Sequence, residues 1–106
     1  MAKNLHVRNG KDGYEYTEVI GNGNTGETIL IPPGKDNVTC TIIAGANSGK
    51  FQFTTSSDSA VLAGTANWID WYKGAVTGTD YDVLNGPVTA LRGVSTSGAI
   101  TIEVVR

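Results

Sequence analysis

Residues 49–72, GKFQFTTSSDSAVLAGTANWIDWY, decide how the rest of the chain is read. This stretch holds both phenylalanines, both tryptophans and one of the four tyrosines. Phe51 and Phe53 are two apart, so a strand puts them on one face. By the same alternation Trp68, Asp70 and Tyr72 share one face of a later strand, with Ile69 and Trp71 on the other. Aromatic side chains bury on the order of 150–250 Å² each and dominate the energetics of a small core. Between the two aromatic segments, residues 57–63 read as a single helical turn or a crossover loop. Ser57 has the chemistry of an N-cap and Gly64 that of a C-terminal stop. A Phe strand and a Trp strand bridged in this way predict a small β-sandwich.

Upstream, Val38 to Ala44 is rich in β-branched residues. Val38, Cys40 and Ile42 face one way, and Thr39, Thr41 and Ile43 the other. Gly45-Ala46-Asn47-Ser48-Gly49 has loop chemistry, so residues 38–55 are expected to form a hairpin. Further upstream, Tyr14 to Ile20 alternates, with Tyr14, Tyr16, Glu18 and Ile20 on one side. Gly21 to Gly26 is a turn, and Glu27 to Ile31 is a strand stopped by Pro32-Pro33-Gly34. Residues 1–13 are polar and rich in turn-forming pairs. They read as an N-terminal arm or an edge segment ahead of a domain spanning 14–106.

Downstream, Lys73-Gly74 and Gly78-Thr79-Asp80 are turns, and Tyr81 to Leu84 is a strand. Asn85-Gly86-Pro87 is a further turn. Val88 to Val94 and Ala99 to Val105 are strands separated by Ser95-Thr96-Ser97-Gly98, which predicts a second, C-terminal hairpin. The tally is about eight strands with turn chemistry every eight to twelve residues and no sustained helical period. That pattern predicts an all-β fold, an antiparallel β-sandwich or jelly roll.

Composition narrows the function. The chain has 106 residues, the size of one domain. Charged residues make up 17% and the formal net charge is −2, so there is no basic stripe for a nucleic-acid backbone. The single cysteine, Cys40, rules out an internal disulfide and reads as a small buried hydrophobe. No apolar run approaches the ~18 residues of a membrane span, and the first residues lack a signal-peptide core. A protein made and folded in a reducing cytoplasm is expected.

No catalytic or cofactor motif survives inspection. Gly21-Asn22-Gly23-Asn24-Thr25-Gly26 spells G-x-G-x-x-G, but it precedes a strand ended by prolines and not the helix a dinucleotide needs. Gly45 to Lys50 is one residue short of a phosphate loop, and Phe51 stands where a magnesium-binding hydroxyl belongs. One histidine, His6, and one cysteine cannot supply four zinc ligands. Asp70, Asp80 and Asp82 are the best carboxylate cluster, without a D-x-D-x-D-G loop, and read as solvated carboxylates. Asn37-Val38-Thr39 is a glycosylation sequon by letters alone.

The residues from about Thr28 to Arg106 resemble small all-β virion proteins of tailed bacteriophages. The resemblance lies in Ile31-Pro32-Pro33-Gly34, in Gly49 to Ser57, and in Gly64-Thr65-Ala66 leading to Trp68-Ile69-Asp70-Trp71. It continues through Asn85 to Arg92 and the closing Gly98 to Val104. Such proteins look like head decoration, or cement, proteins. The resemblance implies a non-enzymatic protein on the capsid exterior. It implies the major capsid protein and further copies of itself, as homodimer or homotrimer, as partners. Nucleic acid, membrane, metal and cofactor are not among the expected partners.

Trp68 and Trp71 point to opposite faces of a regular strand. One enters the core; the other lies against a loop, a second subunit or a ligand. The expected contact residues are therefore Trp68, Trp71 and Tyr72, together with Leu5, His6, Val7, Tyr14 and Tyr16 of the N-terminal region. Two other functions fit the same features: another virion module, such as a head–tail connector, tail or fibre part, and a carbohydrate-binding module using the aromatic face.

Overall fold

Strand β5 (Asn37–Thr54) runs for 18 residues and organises everything else. In the computed structural model, which describes residues 2–4, 6–7, 14–31, 37–85 and 88–105, it pairs with four other strands. The other strands are β1 (Ala2–Asn4), β2 (His6–Val7), β3 (Tyr14–Ile20), β4 (Thr28–Leu30), β6 (Ile69–Asp70), β7 (Val76–Asn85), β8 (Ala90–Ser97) and β9 (Ile100–Val105). One helix, α1 (Asp58–Ala63), lies between β5 and β6. The fold is all-β and antiparallel, apart from the parallel meeting of β1 with β4.

The first half of β5 pairs with β7 on one side and β9 on the other; β3 and then β2 follow. The second half pairs with β6 and β8; β4 and then β1 follow. A sandwich of two layers results, with β5 common to both. The expected hairpin over 38–55 is absent: Gly45 takes a positive φ of 59° and the register shifts there, but the strand continues. Glycine chemistry that reads as a turn serves here as a bulge, which bends a strand without reversing it.

The C-terminal hairpin is also absent. β8 and β9 do not pair with each other; both lie along β5, Ser97 to Ala90 against Ser48 to Thr54 and Val105 to Thr101 against Thr39 to Ile43. The break between them is a corner. Gly98, at φ 69°, donates its N–H to Asn22 Oδ1 at 2.8 Å, and Asn47 Nδ2 donates to the Ala99 carbonyl at 2.9 Å. Asn side chains there replace the ladder bonds that the bend removes.

Alternation fills the core. Val38, Cys40, Ile42 and Ala44 of β5 meet Ile100, Ile102 and Val104 of β9 and Tyr16 and Ile20 of β3. From the second layer come Ile29, Phe51 and Leu91, and Trp71 joins them from the turn after β6. Gly93 and Gly49 sit among these large side chains because a Cβ at either would collide with isoleucine atoms from the facing layer. The helix matches the expected turn: Ser57 Oγ accepts from the Ala60 N–H at 3.2 Å, and Gly64 closes it at φ 77°.

Candidate functional site

The Trp strand is shorter than its aromatic pattern predicts. β6 has two residues, Ile69 opposite Phe53 and Asp70 opposite Gln52. The backbone of Trp71 still follows β5, its N–H donating to the Phe51 carbonyl at 2.9 Å. Its ring goes inward, 2% exposed, and meets Phe51 edge to face with centroids 5.2 Å apart. Its indole N–H donates to the Gly74 carbonyl across the turn. Trp71 is thus a core residue and offers nothing to a partner, a correction to the expected contact set. Tyr16 is corrected on the same ground: it points inward at 9% exposure, packed against the isoleucines and valines of β9.

Two of the expected contact residues stay on the surface. Tyr72 stands at the tip of the 71–74 turn, 80% exposed, with Lys73 Nζ 5.6 Å from its ring centre. Trp68, just before β6, is half-buried because Arg92 of β8 lies over its ring at 4.2 Å. The backbone of β2 pairs His6 with Glu15 and Val7 with Tyr14 at the sheet edge. Leu5 lies outside the described residues, as do the side chains of His6, Val7 and Tyr14.

Trp68 is one end of a row of side chains on the outer face of the second layer. Arg92 Nε donates to Gln52 Oε1 at 2.8 Å, and Gln52 Nε2 donates to Asp70 Oδ1 at 2.9 Å. Lys50 Nζ completes the row on Asp70 Oδ2 at 3.0 Å. The register places these residues together, with Gln52 directly between Arg92 on β8 and Asp70 on β6. The bonds from Gln52 and Lys50 hold the Asp70 carboxyl below its ordinary pKa.

The three carboxylates that stood out in the sequence do not converge. Asp80 accepts from the Tyr81 N–H at 2.8 Å and from Lys73 Nζ at 3.2 Å, and these donors lower its pKa. Asp82 stands opposite Cys40, whose S–H donates to the Asp82 carbonyl at 3.5 Å. Among the described residues no group of three or more His, Cys, Asp or Glu side chains is placed to hold a metal. Nor is any helix there long and apolar enough to cross a membrane.

A second surface escaped the sequence reading. The outward side chains of the first layer form a grid of three rows over four strands. Val83, Thr39, Val105 and Glu15 make one row; Tyr81, Thr41, Glu103 and Thr17 the next; Thr79, Ile43, Thr101 and Val19 the third. Tyr81 is 61% exposed and Val19 71%, and Ile43 and Val83 are also exposed. The only charges on the grid are Glu15 and Glu103. The signal was present in the outward alternation of Thr39, Thr41 and Ile43. Tyr81 and Val83, however, become part of it only once β7 is laid beside β5.

No protein-family model matches the chain, and no curated protein matches it in sequence. Solved structures share its fold. The SPBc2 prophage-derived protein YomS superposes with a TM-score of 0.60 at 12% identity, covering 89% of this chain and 91% of that one. An oxalate oxidase gives a TM-score of 0.52 at 10% identity, covering 88% of this chain but only 40% of the enzyme. The Schizosaccharomyces pombe Cnp3 cupin domain gives 0.51 at 7% identity, over 95% of this chain and 56% of that one. At these identities the likeness is one of fold. What is shared is an all-β, antiparallel architecture.

Proposed function

We propose that this chain is a non-enzymatic structural protein of a tailed-bacteriophage virion: a capsid decoration, or cement, protein bound to the outside of the head lattice. The observation that carries the reading is the outer face of the first layer, where apolar and threonine side chains stand in register over four strands. The largest apolar patch on a protein of this kind is often a binding surface. The likeness to a prophage-derived protein, which spans nearly the whole of both chains, supports a phage setting.

The size of the face suits a repeated contact. Four strands at ~4.8 Å spacing and five residues at ~3.4 Å give a face of roughly 300–400 Å². That is below the ~800 Å² per partner of a standard stable interface. A decoration protein tolerates small individual contacts, because copies that are linked as an oligomer or span adjacent capsid subunits gain avidity.

Quantitative mass spectrometry of particles from the phage or prophage carrying this reading frame tests the proposal. Hundreds of copies per head are expected, with purified protein rebinding to stripped heads. About a dozen copies per particle would move the chain to a connector or tail role, and absence from particles ends the virion reading.

A further inference from the structure

The row Trp68–Arg92–Gln52–Asp70–Lys50 is rich in unspent donors. Both oxygens of Asp70 are taken, one by Lys50 and one by Gln52. Both ends of the Gln52 amide are taken, by Asp70 and by Arg92. Arg92 spends only its Nε–H, on Gln52. Among the described residues its two Nη groups, and the indole N–H of Trp68, have no hydrogen-bond partner. The row carries two positive charges, Lys50 and Arg92, against one negative, Asp70.

Arg92 is also held in place. The Trp68 ring centre lies 4.2 Å from the guanidinium carbon on one side, and the Nε–H bond to Gln52 holds the group from another. A planar donor fork held in this way matches the two oxygens of a carboxylate. One surplus positive charge matches a monoanion better than a phosphate group, whose charge is about −1.5 to −2.

We propose that this row binds a carboxylate of a protein partner: an Asp or Glu side chain seated on the two Nη groups of Arg92, with Trp68 as the wall beside it. The assignment is independent of the capsid reading and applies to any protein partner of this face. Trp and Arg are over-represented among residues that dominate protein interfaces, which fits the composition of the row.

Nuclear magnetic resonance on the full-length, nitrogen-15-labelled protein tests it. The probes are a capped Gly-Glu-Gly-Glu-Gly peptide, its Gln counterpart at equal ionic strength, and inorganic phosphate. The Glu peptide is expected to shift the Arg92 Nε–H and Trp68 indole signals saturably, with a Kd on the order of 1 mM. The Gln peptide is expected to bind about tenfold more weakly or worse. Arg92→Lys, which keeps the charge and loses the fork, is expected to weaken the Glu peptide about five- to tenfold while the remaining spectrum keeps its dispersion. Trp68→Leu is a second variant with the same expected direction. The proposal is overturned if the Glu peptide produces no saturable shift, if the Gln peptide or phosphate binds as tightly, or if Arg92→Lys binds like the parent.

Discussion

Phe51 and Trp71 meet edge to face at 5.2 Å, with ring planes at 69°, while the Trp71 N–H bonds the Phe51 carbonyl. Side chain and backbone thus fasten the same two residues together. Phe51 is on the central strand and Trp71 on the turn that leads from β6 into β7. The contact therefore ties the second layer to the strand that flanks the first.

Trp71→Ala is expected to lower unfolding free energy by about 3–5 kcal/mol, the cost of emptying a large aromatic site. Phe51→Ala should cost a similar amount. The double variant should lose less than the sum, by about 0.5–1.5 kcal/mol, because both single changes remove one shared contact. Urea unfolding of the four proteins measures the difference; strict additivity would show that the rings do not act on each other.

Gly49 is fixed by space and not by backbone conformation. A Cβ there would lie 2.3 Å from Ile100 Cδ1 and 3.0 Å from the Val94 carbonyl oxygen. Gly49→Ala is expected to cost about 1–3 kcal/mol through overpacking. Ile100→Val removes the closer of the two obstacles, so Gly49→Ala with Ile100→Val should recover part of the loss. A double variant no more stable than Gly49→Ala alone would place the strain on the backbone contact instead.

Alkaline pH should weaken the fold in a defined window. Burial, aided by Asp82, pushes the Cys40 thiol up from 9.0 to about 12. Burial, followed by Glu18, pushes Tyr16 up from 10.0 to about 12. Both groups give up protons more easily in the unfolded chain. Stability is therefore at its full value below about pH 9 and falls as pH rises towards 12. Cys40→Ala should show a shallower fall in urea unfolding at alkaline pH. The thiol of the native protein should also resist a disulfide reagent at about pH 8 and react freely in denaturant. Rapid native labelling would contradict the buried placement.

The first-layer face can be altered without disturbing the core. Tyr81→Glu and Ile43→Lys are expected to change stability by about 0.5 kcal/mol or less, as surface substitutions do. Under the decoration reading, the same variants should lose binding to stripped heads in co-sedimentation. Variants that still decorate heads as the parent does would move the contact to another surface.

Much of this was legible beforehand. The alternation of Val38, Cys40 and Ile42, and of Ile100, Ile102 and Val104, named the inward side chains of β5 and β9. Ser57 and Gly64 marked the ends of α1. Both expected hairpins failed for one reason. Glycine, asparagine and serine at 45–49 and 95–98 have the chemistry of a reversal, and the same chemistry serves a bulge or a corner in a continuing ribbon. Which of these forms depends on distant partners, here β7 alongside Gly45 and the Asn22 and Asn47 side chains at Gly98.

The sequence by itself determined the class of the fold, the inward face of the long strands, the one helical turn and the separation of the two tryptophans onto opposite sides. These follow from periodicity and local backbone preference, which act between near neighbours. Only the tertiary structure decided which tryptophan is core, how one strand serves two layers, and that Tyr81 joins Ile43 and Val19 on one exposed face. Those outcomes depend on pairing between residues far apart in the chain, where the area buried and the hydrogen bonds completed by the whole assembly select among partners that local preference leaves equivalent.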